Sequence, residues 1–475
     1  MARIAAIALA VFAVGCSRFF ERSSDDGAVA TAAAIAAPAA TSVEASAIVV
    51  APFGPAVRSS DAQSPSEPLR VLVGGDLIPH RPSLAAPSSI LSALTPLTPV
   101  FKQADAVVAN YEAATGELSK KAFRLAYAAP PAWLDALSQA GITAVTVANN
   151  HACDLGHGGV EATLEAASKS GLGVLGGDSE PGGRDPWAPR TLVERDGKRV
   201  CAVAWTTLIN AEGSCARTTR LAIATENAAG RQKVAAALQR ARSTCDATIA
   251  IIHGGVEYVP QTPEVMAVAR EAAESGADAV VIHHPHVASP VVVHATKDKR
   301  QIPIFASVGN LVSNQGESWK PPMFPVLREN RRLVCVNGWT RLGVLADLAF
   351  DFKETPKLDW SFHLVWTENE HADDRKVRIP RIVTRVLDPA KDAAIVERLT
   401  DDEHGPLDLF DDPCWAERPV FTDADRGRDA RCETTLVRSP PPASQVAAAV
   451  RPKKKKRQAP SGHEVAIDPR RAGSI

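Results

Sequence analysis

A chain of 475 residues with 45% hydrophobic and 23% charged residues has the composition of an ordinary globular protein. It is long enough for one large domain of about 250 to 330 residues plus tails, or for two ordinary domains. The net charge of −1 supplies no global field, which excludes a nucleic-acid or acidic-polymer binder unless a local patch does the binding.

The chain opens on Met1-Ala-Arg3 and an apolar run from Ile4 to Val14, a positive start and a hydrophobic segment too short to span a bilayer, which predicts an export signal. The run ends in Ala13-Val14-Gly15-Cys16. Residues 1–16 therefore read as a lipoprotein-type signal peptide with Cys16 as the lipidated residue, although Ala13 departs from the usual leucine. An ordinary cleaved signal with an incidental cysteine is the alternative. Either way the protein is expected to be exported, and in the first case to be a membrane-anchored lipoprotein on the cell surface or facing the periplasm. Residues 17–69, rich in Ala, Ser and Pro, read as a disordered tether.

Buried strands are then predicted over Arg70 to Gly74, Ala106 to Ala109, Ala144 to Ala148, Gly173 to Leu175, Val200 to Trp205, Thr248 to Ile252 and Ala279 to Ile282. Helices are predicted over Pro131 to Ala140, Gly158 to Ser170, Glu226 to Arg242 and Pro263 to Ser275. This alternation predicts a layered α/β domain over residues 70–315. Beyond Asn310, Arg341 to Phe352, Trp360 to Thr367 and Val377 to Leu387 read as longer strands without helices between them. Residues 316–400 are thus expected to be a β-rich completion of the same domain. Residues 401–438 form a cysteine-containing segment in which Cys414 and Cys432 are the disulfide candidates, whereas Cys201 and Cys245 read as buried small hydrophobes. Residues 439–475 carry the run Arg451-Pro-Lys-Lys-Lys-Lys-Arg457 and read as a disordered basic tail, either a solvated end or a holder of anionic polymer or lipid headgroups.

The predicted strands end in residues that bind metal or move protons. Asp76 follows the first, Glu112 the second, Asn150 and His151 the third, His253 the sixth, and His284 and His286 the seventh. In α/β sheets ligands bind at the carboxyl ends of strands, so these residues are expected to converge on one crevice. Taken singly, Asp76 reads equally well as a turn or cap residue, Glu112 as a loop residue and His253 as a core histidine. Together, imidazoles with carboxylates suit one or two divalent ions, with Mn, Fe or Zn the best fits. Pro285 holds His284 and His286 apart, so that each can address a different ion.

The motifs Gly75-Asp76 with Arg81, Ala109-Asn110-Tyr111-Glu112, Ala148-Asn149-Asn150-His151 with Asp154 and Gly156, His253-Gly254-Gly255-Val256-Glu257-Tyr258, His284-Pro285-His286 and Ser307-Val308-Gly309-Asn310 resemble the CapA-type capsule (poly-γ-glutamate) synthesis proteins, within the metallophosphatase-like, calcineurin-type superfamily. The resemblance implies a four-layer metallophosphoesterase-like sandwich, mixed sheets flanked by helices, with a C-terminal β extension. It implies that Glu112 bridges two ions, with Asp76 and His286 on one and Asn150, His253 and His284 on the other. His151 would then protonate the leaving oxygen, oriented by Asp154. Arg81 would act at the catalytic site as an anion-gripping group, and Arg81, Glu257 and Asn310 would contact substrate. Ile78 stands where a typical phosphoesterase carries a histidine, which removes an imidazole from the first ion and leaves His80 as the nearest replacement. Ile282 stands where the family usually has glycine.

The implied function is synthesis, export or anchoring of an anionic capsule polymer, such as poly-γ-glutamate or a capsular polysaccharide, through a metal-dependent hydrolase or transferase site. Capsule assembly subunits are the expected protein partners, and no nucleic acid is expected. The alternatives are a non-catalytic binding or scaffolding subunit of a capsule assembly complex and a general secreted phosphodiesterase.

Overall fold

The computed structural model describes residues 67–436 except 119–125, 179–184, 211–214, 216–217, 226, 260, 320–333, 371–378, 401–407 and 419–431. The predicted signal peptide with Cys16, the predicted tether up to residue 66 and the predicted basic tail lie outside the described residues.

The N-terminal half contributes β1 (Leu69–Leu77), β2 (Ala106–Tyr111), the short β3 (Ala114–Thr115) and β4 (Ala128–Ala129), β5 (Ala144–Thr146) and β6 (Gly173–Leu175). Between them lie α1 (Pro87–Leu94), α2 (Ala132–Ala140) and α3 (Gly156–Lys169). β1, β2, β5 and β6 pair in parallel. A second sheet follows from β7 (Arg190–Arg195), β8 (Lys198–Thr206), β9 (Ala247–His253), β10 (Ala279–His283), β11 (Val291–Ala295) and β12 (Gln301–Phe305). It is parallel at its centre and antiparallel at both edges, and α4 (Ala228–Thr244) and α5 (Pro263–Glu274) supply its crossovers. The chain then returns to the first sheet. β13 (Asn310–Val312) pairs with the end of β1, and β14 (Leu342–Asp351), β15 (Lys357–Asn369), β16 (Ile382–Val386) and β17 (Glu433–Thr435) extend that sheet antiparallel beyond β1.

Why the strands read as continuous apolar runs follows from burial on both faces. In β1, Val71 and Val73 face the interior between the sheets, where they join Ile249, Ile251, Val281 and Phe305. Leu72 faces the other way, toward Ile90, Leu94, Trp133 and Leu137 of α1 and α2, as the two-residue period of a strand requires, and Leu77 joins that face because the register of β1 shifts between Val73 and Leu77. On the far side, Val234 and Leu238 of α4 and Val265 and Ala269 of α5 cover the second sheet. Helix, sheet, sheet and helix form the four-layer α/β sandwich predicted above. The edge strands β7 and β11, only partly buried, were not predicted, although β11 opens on Val291-Val292-Val293.

One expectation is overturned. Cys201 in β8 is not an inert small hydrophobe but is disulfide-bonded to Cys245, just past α4, across 44 residues. Both are buried, and an apolar strand pattern does not distinguish a thiol from a half-cystine. Closing a loop of that length stabilises the fold by roughly 4 kcal/mol on chain-entropy grounds. Cys414 and Cys432 pair as expected. A further disulfide joins Cys153 to Cys215.

An ion network fixes β1, β14 and β15 at their far end. Arg70 forks onto Asp347, and buried His363 lies between Asp347, at 3.5 Å, and Glu417, at 2.5 Å. Burial alone would lower the His363 pKa, but the hydrogen bonds and charges of Asp347 and Glu417 push it up to about 9. Its folded-state pKa thus exceeds its unfolded value. The stabilisation is complete below about pH 6.5 and disappears as pH rises through about 9, a loss on the order of 2 kcal/mol. Chemical denaturation at pH 6 and pH 9.5 should show this difference in the wild type and a much smaller one in His363→Gln.

Candidate metal centre

Each ligand candidate sits at or just beyond the carboxyl end of a strand. Asp76 lies near the end of β1, Glu112 directly follows β2, His253 closes β9, and His284 and His286 follow β10. The position of Asp76 depends on close backbone contact. A Cβ on Gly75 would lie 2.1 Å from the Gly309 carbonyl, so only glycine lets β1 approach the Gly309–Asn310 turn, where the Asp76 N–H donates to Gly309 at 3.1 Å.

The candidates converge. Asp76, Glu112 and His286 present ligand atoms within 4.8 Å of one another, and so do Glu112, His253 and His284. Glu112 belongs to both groups. Asn150 joins the second, its Oδ1 facing His253 Nε2 at 2.9 Å. His286 Nδ1 lies 3.1 Å from Asp76 Oδ2 and 3.1 Å from Asn310 Oδ1, with its Nε2 3.7 Å from Glu112. Asn310 therefore orients a ligand candidate, the position a substrate contact was expected to fill. All of these side chains are buried.

Electrostatics separates the two inner carboxyls. Burial opposes ionisation of Asp76, yet the hydrogen bond and charge of His286, with His283 and His253 nearby, hold it well below the usual carboxylate range. Glu112 is driven well above that range by burial and by the adjacent Asp76 charge. Burial alone would lower His286, but the Glu112 and Asp76 charges push it up to about 10. Burial and then the neighbouring His286 lower His284 to about 3. Both carboxylate oxygens of Glu112 and Nδ1 of His284 are buried without a hydrogen-bond partner. Buried polar atoms are normally satisfied, so these unpartnered acceptors, in a set of carboxylates, imidazoles and one amide oxygen, fit divalent cations of the Mn, Fe or Zn kind.

Asn110 organises the floor of the site, a role the sequence motif alone did not reveal. Its Nδ2 donates to Asp76 Oδ1 at 2.8 Å and lies 3.2 Å from His253 Nδ1, while its Oδ1 accepts from Thr146 and Asn149. The backbone is strained where the last two imidazoles are aimed. His284 and His286 adopt φ of 98° and 58°, which for non-glycine residues costs on the order of 1–3 kcal/mol each.

His151 stands beside this centre. Its Nδ1 lies 2.7 Å from Asp154 Oδ2, which also accepts from Tyr127 N–H at 2.6 Å, and Asn210 reaches its Nε2 at 3.4 Å. Asp154 thus fixes the ring with Nε2 outward. The disulfide from Cys153, two residues after His151, ties this loop to the segment after β8 that carries Asn210. Arg81 is exposed and engages none of the described residues. His80 does not replace the imidazole absent at Ile78, which is itself buried. Both His80 nitrogens are occupied, Nδ1 accepting from Asn314 N–H at 3.0 Å and Nε2 3.2 Å from the Tyr127 hydroxyl.

The family model for the bacterial capsule synthesis protein PGA_cap matches residues 70–315, 246 of the 475 residues. The chain belongs to this family. The matched span holds every candidate ligand, and β14 to β17 lie beyond it. The chain is also similar to the capsule biosynthesis protein CapA of Bacillus anthracis, 26% identical over 228 residues, which are 46% of this chain and 53% of that protein. It is similar to the PGA biosynthesis protein CapA of Bacillus subtilis (strain 168), 26% identical over 181 residues, 38% of this chain and 45% of that protein. This PGA_cap chain therefore spans about half the length of the curated relatives it matches.

Proposed function

We propose that the protein is an exported, membrane-anchored enzyme of capsule synthesis that acts on an anionic polymer such as poly-γ-glutamate, by hydrolysis or transfer at a two-cation centre. The observation that carries this reading is Glu112, a buried carboxylate shared by two ligand groups with neither oxygen hydrogen-bonded. Asp76, Glu112 and His286 would hold one ion, and Glu112, Asn150, His253 and His284 the other. Bound there, divalent cations would supply electrophilic polarisation of a phosphoryl or carbonyl oxygen. With Nδ1–H held by the Asp154 carboxylate, His151 would in its doubly protonated form deliver the Nε2 proton to the leaving oxygen. Exposed Arg81 would meet the anionic chain as it enters. Metal analysis of the purified protein, with turnover of an aryl phosphodiester and of poly-γ-glutamate before and after chelation, tests the reading. Chelator-sensitive turnover of either substrate supports it, and a fully folded protein that takes up no metal defeats it.

Buried, apolar Ile78 favours a second reading, a scaffolding subunit of a capsule assembly complex, because it leaves the Asp76 side of the centre short of a ligand. Folded protein that binds polymer without converting it would select this reading.

In the proposed anchoring, Cys16 carries the lipid. Cys16→Ser should shift the protein from the membrane pellet to the soluble fraction, read by immunoblot of fractionated cells. Retention in the pellet would remove the anchor from the proposal.

A further inference from the structure

The group Asp76, Glu112 and His286 offers three donors, which leaves at least one coordination position for a further ligand or for water. A further carboxylate lies within reach. Glu257 presents a ligand atom within 4.8 Å of ligand atoms of both His284 and His286, histidines that fall in different ligand groups. Its loop is tied to them. Tyr258 N–H donates to the Pro285 carbonyl at 2.8 Å, Val259 N–H closes back onto Val256 at 3.1 Å, and the Tyr258 ring lies 6.0 Å from that of His286. Gly255 and Tyr258, at φ of 109° and 62°, turn the loop back over the histidines. The buried, unpartnered Nδ1 of His284 independently points to a ligand in this region, since neither backbone nor side chain satisfies it.

We propose that Glu257 is a second shared carboxylate, completing the cation centre by reaching the ions that His284 and His286 would hold. This rests on the two-cation reading above. It reassigns Glu257 from substrate contact to metal ligand. The Asp76 position then has Asp76, Glu112, His286 and Glu257, and the other has Glu112, Asn150, His253, His284 and Glu257. Asp76, Glu112 and Glu257 together bring three negative charges against four positive ones, leaving a net positive centre suited to an anionic substrate.

The test is titration of the full chain with MnCl2, followed by calorimetry and electron paramagnetic resonance, in wild type and Glu257→Gln. Glutamine keeps the size of the side chain, and Glu257 is the most exposed member of the group, so the fold is retained. The expected result is two ions with a spin-coupled spectrum in the wild type. Glu257→Gln should keep one tight ion, bind the second at least about 10-fold more weakly and give an uncoupled spectrum. A variant that binds both ions at wild-type affinity with the coupling intact overturns the role of Glu257 and leaves the two-cation centre standing. Three ions in the wild type falling to two in the variant would make Glu257 the ligand of a separate ion and overturn the bridge. A wild type that binds fewer than two ions removes the two-cation reading and the bridge with it.

Discussion

Glu112→Gln is expected to weaken both cation positions together and to lower turnover by about 10³-fold or more, because a neutral amide replaces a buried carboxylate that reaches both the Asp76–His286 and the His253–His284 groups. The same change should act in the opposite direction on the metal-free protein. There the buried Glu112 oxygens have no partner and stand beside the Asp76 charge. Removing that burden should raise unfolding free energy in chelator by about 1–3 kcal/mol. The pH dependence follows from the raised Glu112 pKa. Stability contributed by its protonated form is present below the unfolded carboxylate value and is lost as pH rises toward the folded one, whereas glutamine does not titrate. The gap between variant and wild type should therefore widen with pH. Metal content by mass spectrometry and melting curves with and without chelator read both effects. Retained metal in Glu112→Gln would remove Glu112 as the shared ligand.

His151→Ala is expected to lower turnover by about 10²–10⁴-fold while leaving metal content and melting temperature near wild type. The reason is geometric. His151 bonds Asp154 and Asn210 and belongs to none of the groups of ligand atoms. Asp154→Asn should follow in the same direction with a smaller loss, since it disturbs the tautomer without removing the ring. An aryl phosphodiester with a good leaving group needs less help from a proton donor, so the loss should shrink with that substrate. Loss of metal in His151→Ala would make the histidine a ligand instead.

The central part of the fold was legible because its strands are buried on both faces. Val71 to Val73, Ile249 to Ile252 and Val280 to Ile282 give unbroken apolar runs, with Asp76, His253 and His284 at or shortly beyond their ends. Convergence of Asp76, Glu112, Asn150, His253, His284 and His286 followed from the rule that parallel strands present their carboxyl ends together. What sequence could not provide is side-chain pairing. Asn110 looked like part of a motif and is the hydrogen-bond hub beneath Asp76 and His253. His80 looked like a spare imidazole and is fully engaged by Asn314 and Tyr127. Cys201 sits in an apolar strand and its partner Cys245 lies 44 residues away, a distance at which no local pattern registers. β7 and β11, edge strands that are only partly buried, were missed even though β11 opens on three valines.

The disulfide between Cys153 and Cys215 adds a covalent tie between the His151 loop and the segment that carries Asn210. The cation ligands reach their places by folding alone, since they ride on the ends of packed strands. The proton donor's loop is cross-linked to the Asn210 segment only when two thiols are oxidised across 62 residues of chain. Reduction would remove that covalent tie and leave the loop held by the His151 hydrogen bonds to Asp154 and Asn210.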